Sequence, residues 1–158
     1  MTDLHHAYLN LGSNVDPQLN LPKAVQLLRE YGRVTAISTV WESPAVGFDG
    51  PNFLNACVLF DANLGLFELK EQVIHPIETS LGRVRTADKN APRTMDIDIV
   101  LFDEQPLKTE YWNYAFVIFP LAELIPDFIH PVSQKALSIF AGQAHGAGMI
   151  VPRTDVLL

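Results

Sequence analysis

Short apolar runs and turn residues divide the first half of the chain into alternating strands and helices. Residues 6–11 are apolar-rich and stop at the turn Gly12-Ser13-Asn14, which is typical of a strand followed by a loop. From Leu21 the apolar residues recur at helical spacing until Gly32, and glycine commonly follows the end of a helix. Residues 34–41 alternate and are rich in β-branched side chains, so they predict a second strand.

The alternation continues in the second half. Residues 42–51 contain two prolines and two glycines and predict a loop, which is followed by a strand over 53–60. Residues 66–81 have helical periodicity, but Pro76 removes a backbone donor, so we expect a kink or break near His75. A polar loop then leads to a strand over 95–102, and the apolar run 115–124 predicts a mostly buried helix. The segment from Pro126 onward has no clear pattern.

This order of elements predicts the fold class α+β. Strand, helix, strand, strand, helix, strand is the βαββαβ arrangement of ferredoxin-like sandwiches, with helices on one face of an antiparallel sheet and here an additional C-terminal helix. The chain has 158 residues and no repeat or linker, so we expect a single domain over residues 1–158. The fold class by itself assigns no function.

Composition and charge exclude several classes of function. A hydrophobic fraction of 48% with 18% charged residues is typical of a folded globular protein, and a net charge of −7 argues against broad binding of nucleic acid. The sequence has no run of about 18 apolar residues and no secretory pattern, so we expect a cytoplasmic protein that binds no membrane. It also has no P-loop motif, which excludes a P-loop enzyme. The single cysteine permits no intrachain disulfide. His130 and His145 lack metal-ligand spacing, and we expect both on the surface.

The first candidate chemistry lies in the predicted fourth strand. Alternate side chains of a strand face the same way, so Asp96 and Asp98 share one face while Ile97, Ile99 and Leu101 occupy the other. Two carboxylates roughly 7 Å apart must be solvated, paired or metal-bound, and such a pair suits Mg²⁺ with water and phosphate oxygens. An exposed acidic strand edge is the alternative.

Basic residues are concentrated just before this strand, where Arg83, Arg85, Lys89 and Arg93 are four of the eleven in the chain. Guanidinium groups match phosphate oxygens in bidentate geometry, and arginines beside Mg²⁺-binding carboxylates are what phosphoryl-type transfer requires. The same residues also suit a solvated loop or simple Arg–Asp salt bridges, and the spacing alone leaves these alternatives open.

A third candidate feature lies upstream, on the predicted third strand. Phe53 and Asn55 alternate on one face, beside the loop Ser43-Pro44-Ala45-Val46-Gly47. An aromatic ring with an adjacent amide can stack on and hydrogen-bond a flat heterocycle. A phenylalanine in this position also fits an ordinary core.

Together these segments resemble the 6-hydroxymethyl-7,8-dihydropterin pyrophosphokinase family. The segments that carry the resemblance occur in the family's order: Leu11-Gly12-Ser13-Asn14, Ser43-Pro44-Ala45-Val46-Gly47, Phe53-Leu54-Asn55, Ile77-Glu78 with Gly82-Arg83-Val84-Arg85, Pro92-Arg93-Thr94-Met95-Asp96-Ile97-Asp98, and Phe116 with Pro120-Leu121-Ala122-Glu123-Leu124. The resemblance covers roughly residues 7–131, and the Gly-Arg-x-Arg and Pro-Arg-Thr-x-Asp-x-Asp segments together are highly specific.

The resemblance implies a magnesium-dependent reaction with ATP as co-substrate. The hydroxymethyl oxygen of the pterin attacks the β-phosphorus of ATP, giving the pterin pyrophosphate and AMP. It implies that Asp96 and Asp98 hold two Mg²⁺ ions. It also implies that Arg83 and Arg93 neutralise the transferred group.

The resemblance also implies the substrate contacts and the partners. The pterin-binding residues are Ser43, Pro44, Val46, Phe53, Asn55 and Phe116, with the two phenylalanine rings on either side of the pterin. The nucleotide-binding residues are His75, Glu78, Arg85 and Ile99. The expected partners are the two small-molecule substrates, and the chain is expected to act as a monomer.

The chain departs from the family pattern on the nucleotide side. The segment between Asp98 and Phe116 is shorter than in typical members and lacks a Pro-His element, and Tyr114 stands at an arginine position. Asn90 and His75 replace a tryptophan and a glutamine of the family. These departures leave open a non-catalytic or repurposed pterin-binding relative, and a related transferase with another donor or acceptor. Lys108, Lys89 or Arg85 are candidates to replace the missing positive charge.

Overall fold

In a computed structural model that describes residues 3–45, 49–83, 94–143 and 150–158, a seven-stranded sheet runs through the chain. The strands are β1 (His5–Ser13), β2 (Arg33–Ile37), β3 (Trp41–Ser43), β4 (Phe53–Ala62), β5 (Asp96–Phe102), β6 (Gln105–Pro106) and β7 (Val151–Pro152). Their order is β6-β5-β1-β4-β3-β7, and β2 also pairs with β4. The central strand β1 is antiparallel to both β4 and β5. This is the expected ferredoxin-like α+β arrangement, and that prediction is confirmed.

Helices cover both faces of this sheet, whereas the sequence predicted helices on one face. The helices are α1 (Pro17–Tyr31), α2 (Leu66–Leu69), a π-helical turn (Lys70–Ile74), α3 (His75–Ser80), a 3₁₀-helix (Thr109–Asn113), α4 (Ala115–Leu124) and α5 (Leu137–Gln143). The first core lies between the sheet and the helices α1 to α3, and the second lies between the opposite face and α4 with α5. The second core exists because α4 is apolar on nearly all sides and must be covered. No helix among the described residues is long and apolar enough to cross a membrane.

The predicted strand over residues 34–41 is two strands. The break falls at Ser38, whose N–H donates to the carbonyl of Cys57 at 2.9 Å. The Ser38 hydroxyl accepts from the N–H of Cys57 at 2.8 Å and donates to the carbonyl of Thr39 at 2.8 Å. A serine side chain that takes over backbone hydrogen bonds interrupts the ladder, which explains why β2 and β3 are separate.

Pro76 widens its helix instead of breaking it. Helical structure runs from Leu66 to Ser80, and the N–H of His75 donates to the carbonyl of Lys70, five residues earlier. A π-helical turn accommodates a position where proline supplies no N–H to the carbonyl four residues before it. The expected irregularity near His75 is therefore present as a wide turn.

A β-bulge alters the faces of β5. Tyr8 is paired with Leu101 and Leu9 with Ile99, so Val100 has no partner in the register. Ile99 packs in the first core, but Leu101 belongs to the second. The prediction that Leu101 shares a face with Ile99 is wrong, because the bulge shifts the alternation by one residue.

His130 is buried, with 4% of its surface exposed, so its expected surface position is wrong. Its Nδ1 accepts from the backbone N–H groups of Val132 and Ser133, which leaves Nε2 to donate to the carbonyl of Trp112 at 2.8 Å. The ring also stacks on Phe140 with centroids 4.6 Å apart. His130 thereby fixes the 3₁₀-helix to the chain after α4, while His145 lies outside the described residues.

We expect the substitution His130→Ala to lower the free energy of unfolding by about 2 to 4 kcal/mol, because it leaves a cavity and an unpaired buried carbonyl. Urea unfolding monitored by tryptophan fluorescence measures this change. Ser133→Ala is the matched control, since Ser133 is exposed, and it should stay within about 0.5 kcal/mol of the parent. Equal effects of the two substitutions would contradict an anchoring role for His130.

Candidate active site

A cavity of about 850 Å³ opens where the ends of β1, β4 and β5 meet. Every described residue of the predicted site lines it: Ser43, Pro44, Phe53, Asn55, His75, Glu78, Arg83, Asp96, Asp98, Ile99 and Phe116. The predicted residues Val46, Arg85 and Arg93 lie outside the described residues, as does Lys89. Motifs far apart in the sequence therefore contribute to one cavity.

The register of β1 brings the two halves of the cavity together. Gly12 lies opposite Asn55 on β4 and opposite Asp96 on β5. Asn10, two residues earlier, lies opposite Asp98. Residues directly opposite each other in antiparallel strands project from the same face, so the amide of β4 and the carboxylates of β5 share that face with only β1 between them.

The carboxylate of Asp98 is held in an unfavourable environment for its charge. Burial and the neighbouring charge of Asp96 raise the pKa of Asp98 to about 7, and a hydrogen bond from Tyr111 opposes this shift. Burial and the proximity of Asp98 raise the pKa of the Tyr111 phenol in turn. Two neighbouring acids, one with a raised pKa, repel each other when both are ionised, and a bound cation relieves this repulsion.

Arg83 connects α3 to the start of β5. Its Nη1 donates to Glu78 at 2.5 Å and to Asp96 at 2.7 Å. Glu78 is only 2% exposed, and it also accepts from the backbone N–H of Ile97 at 2.9 Å. The Arg–Asp salt bridge left open by the sequence is therefore present, and Glu78 supports the first residues of β5 from beside the cavity.

The amide of Asn55 is fixed in one orientation on the other side of the cavity. Asn55 is 2% exposed, and its Nδ2 donates to the hydroxyl of Ser43 at 3.0 Å. A Cβ atom on Gly12 would lie 2.8 Å from Oδ1 of Asn55, closer than real contacts allow. Glycine at position 12 therefore makes room for this amide. Phe53 and Phe116 are half-buried and present apolar rings to the same cavity.

The segment after β6 supplies aromatic and basic side chains to the cavity. Tyr114 stacks on Phe116 with ring centroids 4.9 Å apart and planes inclined by 13°. Nζ of Lys108 lies 5.6 Å from the centroid of the Tyr111 ring. All four residues line the cavity, together with Lys70 from the π-helical turn.

Asn10 and Tyr111 line the cavity but were not predicted from the sequence. Asn10 is 3% exposed, and its Oδ1 has no hydrogen-bond partner among the described residues. A polar residue inside the apolar strand His5–Ser13 was the signal that could have indicated it. Tyr111 had no such signal, because its contact with Asp98 depends on the fold of the segment between β6 and α4.

The carboxylates of Asp96 and Asp98 fit a hard divalent cation such as Mg²⁺. Within the described residues no group of three or more His, Cys, Asp or Glu side chains is arranged to hold a metal. Mg²⁺ takes one or two protein carboxylates and keeps water or phosphate oxygens as its other ligands, so two acids are sufficient. The raised pKa of Asp98 supports this fit, since burial and the charge of Asp96 both disfavour its ionised form, which a bound cation would favour.

Comparisons with known proteins identify the family to which this chain is similar. Residues 8–126 match the family model described as 7,8-dihydro-6-hydroxymethylpterin-pyrophosphokinase (HPPK). The chain is 36% identical over 143 residues to the 2-amino-4-hydroxy-6-hydroxymethyldihydropteridine pyrophosphokinase of Aquifex aeolicus, covering 84% of this chain and 88% of that one. It is 38% identical over 130 residues to the protein of that name from Bacillus subtilis, covering 75% and 77%.

The fold also resembles solved structures. The chain matches the crystal structure of Plasmodium falciparum HPPK-DHPS with pteroate at a TM-score of 0.69 and 12% identity. The match covers 92% of this chain and 43% of that one, so this chain spans less than half of the solved protein. At this identity the likeness concerns the fold alone.

We expect Asp98→Asn to stabilise the metal-free protein at pH 8 by on the order of 2 to 4 kcal/mol. Asp98 binds its proton more tightly in the folded chain than in the unfolded one, so its ionisation lowers stability as the pH rises from 3.8 toward about 7. The difference between variant and parent should therefore vanish near pH 3.5. Urea unfolding in EDTA across this pH range measures it.

The exposed Asp127→Asn variant is the control, since it removes the same charge from a residue that does not line the cavity. Saturating Mg²⁺ should stabilise the parent more than Asp98→Asn. A variant that is less stable than the parent at pH 8 would contradict the proposed electrostatic cost.

Proposed function

The chain belongs to the 7,8-dihydro-6-hydroxymethylpterin-pyrophosphokinase (HPPK) family, and we propose that it transfers pyrophosphate from ATP to 6-hydroxymethyl-7,8-dihydropterin. The products are the pterin pyrophosphate and AMP, in folate biosynthesis. The observation that carries this proposal is that Asn55 and Phe53 of β4 share one cavity with Asp96 and Asp98 of β5. A heterocycle-binding side and a phosphate-binding side thus lie within reach of one substrate pair.

The comparisons favour an enzyme over a non-catalytic pterin-binding relative. The relatives at 36% and 38% identity are both named as pyrophosphokinases, and they match three quarters or more of this chain. The departures on the nucleotide side are therefore interpreted as changes within a catalytically active site, which an assay of AMP formation tests.

On the pterin side, Asn55 and Ser43 form the polar edge of the pocket. Because Nδ2 of Asn55 donates to Ser43, its Oδ1 faces Gly12 and remains available to accept from the heterocycle. Phe53 and Phe116 supply the apolar surfaces against which a flat ring stacks. Pro44 lines the same pocket, and the role of Val46 remains a prediction from the family resemblance.

On the phosphate side, Asp96 and Asp98 are the residues that would hold Mg²⁺. The cation, when bound, supplies charge neutralisation for the phosphates and orients the reacting oxygens. Arg83 keeps Asp96 in place through its 2.7 Å hydrogen bond, and its guanidinium faces the same cavity. Two ions rather than one, and a charge-neutralising role for Arg93, are proposed from the resemblance.

The nucleotide side is proposed to use His75 and Glu78 of α3 and Ile99 of β5, which all line the cavity. Lys70 and Lys108 add positive charge at the rim, where an exposed ammonium group can reach a flexible polyphosphate. We propose that Lys108 takes over part of the charge lost with the family arginine that Tyr114 replaces. Arg85 remains a further predicted contact. The protein is proposed to act as a cytoplasmic, single-domain monomer on these two small molecules.

We expect pterin-dependent formation of AMP when the protein is mixed with Mg²⁺, ATP and 6-hydroxymethyl-7,8-dihydropterin, measured by chromatography of the nucleotides.

Asp98→Ala should lower turnover by about 10² or more, because the charge-neutralising centre is lost. Its pterin affinity should stay within about twofold, and Asp127→Ala should leave both unchanged. AMP formation at the parent rate in Asp98→Ala would rule out the proposed metal-holding role. Pterin binding by the parent without any AMP would favour the repurposed relative.

We expect Phe53→Ala to weaken binding of the pterin by about tenfold, since loss of an aromatic contact costs roughly 1 kcal/mol or more. Affinity for a non-hydrolysable ATP analogue should change by less than about twofold. Titration calorimetry measures both constants, and the exposed Phe67→Ala, on the outer face of α2, is the matched control. A larger loss for the nucleotide than for the pterin would mean that the ring lies elsewhere in the cavity.

A further inference from the structure

The carboxylate of Glu42 joins three separate parts of the chain. Its Oε2 accepts from Nδ2 of Asn52 at 2.9 Å, and its Oε1 accepts from Nη1 of Arg153 at 2.6 Å. Glu42 immediately precedes Ser43, and Asn52 immediately precedes Phe53. One carboxylate therefore holds both ends of the connection between β3 and β4, and attaches them to the C-terminal segment.

The C-terminal segment holds Arg153 in place from both sides. Strand β7 pairs antiparallel with β3 at the edge of the sheet, and the N–H of Arg153 donates to the carbonyl of Val40 at 2.7 Å. Asp155 accepts two hydrogen bonds from the guanidinium, each of 2.9 Å. Val156 and Leu158 are partly buried against the first core. The arginine is thus aimed at Glu42 by backbone pairing, a bidentate ion pair and apolar packing.

The contact lies directly behind the wall of the pterin pocket. Strand β3 has only three residues, Trp41–Ser43, and its last residue accepts the hydrogen bond from Asn55. Ser43 and Phe53, the direct neighbours of Glu42 and Asn52, both line the cavity. Strand β3 is short, and among the described strands β7 alone pairs with its second edge. A change in the spacing of Glu42 and Asn52 therefore moves two residues of the pocket.

We propose that Arg153 is a positioning residue for the acceptor substrate, which acts through Glu42 to hold Ser43 and Phe53 at the spacing that a pterin requires. This inference rests on the proposed function, because it names the substrate that the positioned wall receives. The C-terminal segment 150–158 is then a part of the substrate-binding architecture, although none of its residues lines the main cavity. Removing or loosening this segment should weaken binding of the acceptor and leave binding of the nucleotide unchanged.

The test compares Arg153→Gln with the control Arg29→Gln, which removes the same charge from the exposed end of α1. Arg153→Gln should weaken pterin binding about tenfold in calorimetry and raise the pterin KM by a similar factor. Its kcat at saturating pterin and its affinity for an ATP analogue should change by less than about twofold. Arg153→Lys should recover part of the lost affinity. An equal loss on the nucleotide side would indicate general destabilisation and overturn the proposal.

Coupling between the two charges provides a second, independent measurement. Glu42→Gln combined with Arg153→Gln should weaken the pterin no more than the stronger single substitution, because both remove the same contact. Additive losses would overturn the proposal. If Arg153→Gln does not fold, Asn52→Ala tests the same contact from its exposed end and should weaken the pterin selectively.

Hydrogen exchange separates a failure of this inference from a failure of the proposed function. In the absence of substrates, Arg153→Gln should accelerate amide exchange in peptides that contain Ser43 or Phe53, and not in those from α2 and α3. If exchange is faster in Arg153→Gln but the parent binds no pterin, Arg153 still holds Ser43 and Phe53 in place, and the pterin is rejected as the acceptor substrate. Pterin binding by the parent with unchanged exchange and affinity in the variant would reject the positioning role alone.

Discussion

The pairing of β1 with β4 on one side and β5 on the other is the constraint on which the site depends. Gly12 lies opposite Asn55 and Asp96 at once, so a single register decides whether the amide and the carboxylates share a face. A slip of one residue would turn every side chain of one strand to the other face and separate the two halves of the cavity. The apolar residues of β1 prevent such a slip, since Leu9 and Leu11 are fully buried in the first core. The requirement for a packed core therefore also fixes the geometry of the site.

The electrostatics of the site work against the stability of the fold. Burial raises the pKa of Asp98, and the charge of Asp96 beside it raises this pKa further. Arg83 offsets this cost for Asp96 through its 2.7 Å hydrogen bond. For Asp98, the favourable interactions within the described residues are the hydrogen bond from Tyr111 and the charge of Lys108. A buried acid with a raised pKa beside a second acid is expected where a substrate or cation completes the charge balance.

The strands and helices that carry the site could be predicted from periodicity, and the motif segments indicated which residues meet. Asp96 and Asp98 share a face as alternation requires, opposite Gly12 and Asn10. The described residues of the predicted site line one cavity. The errors came from interactions that a local pattern cannot contain. The hydroxyl of Ser38 divides a strand by bonding to Cys57, a bulge at Val100 reverses the face of Leu101, and His130 is buried by partners that precede and follow it. The contact between Glu42 and Arg153 joins residues 111 positions apart, and nothing in the spacing of either residue indicates it.

The π-helical turn before Pro76 affects how the helical segment from Leu66 to Ser80 faces the cavity. Lys70, Ile74 and Glu78 follow one another at four-residue steps and all line the cavity. On a regular α-helix of 3.6 residues per turn, such a repeat drifts steadily around the axis, and its members come to point in different directions. A π-helical turn rotates less per residue about the axis, so it cancels part of this drift. The wide turn at the proline thus keeps the side chains of Lys70, Ile74 and Glu78 aligned along one edge of the same pocket.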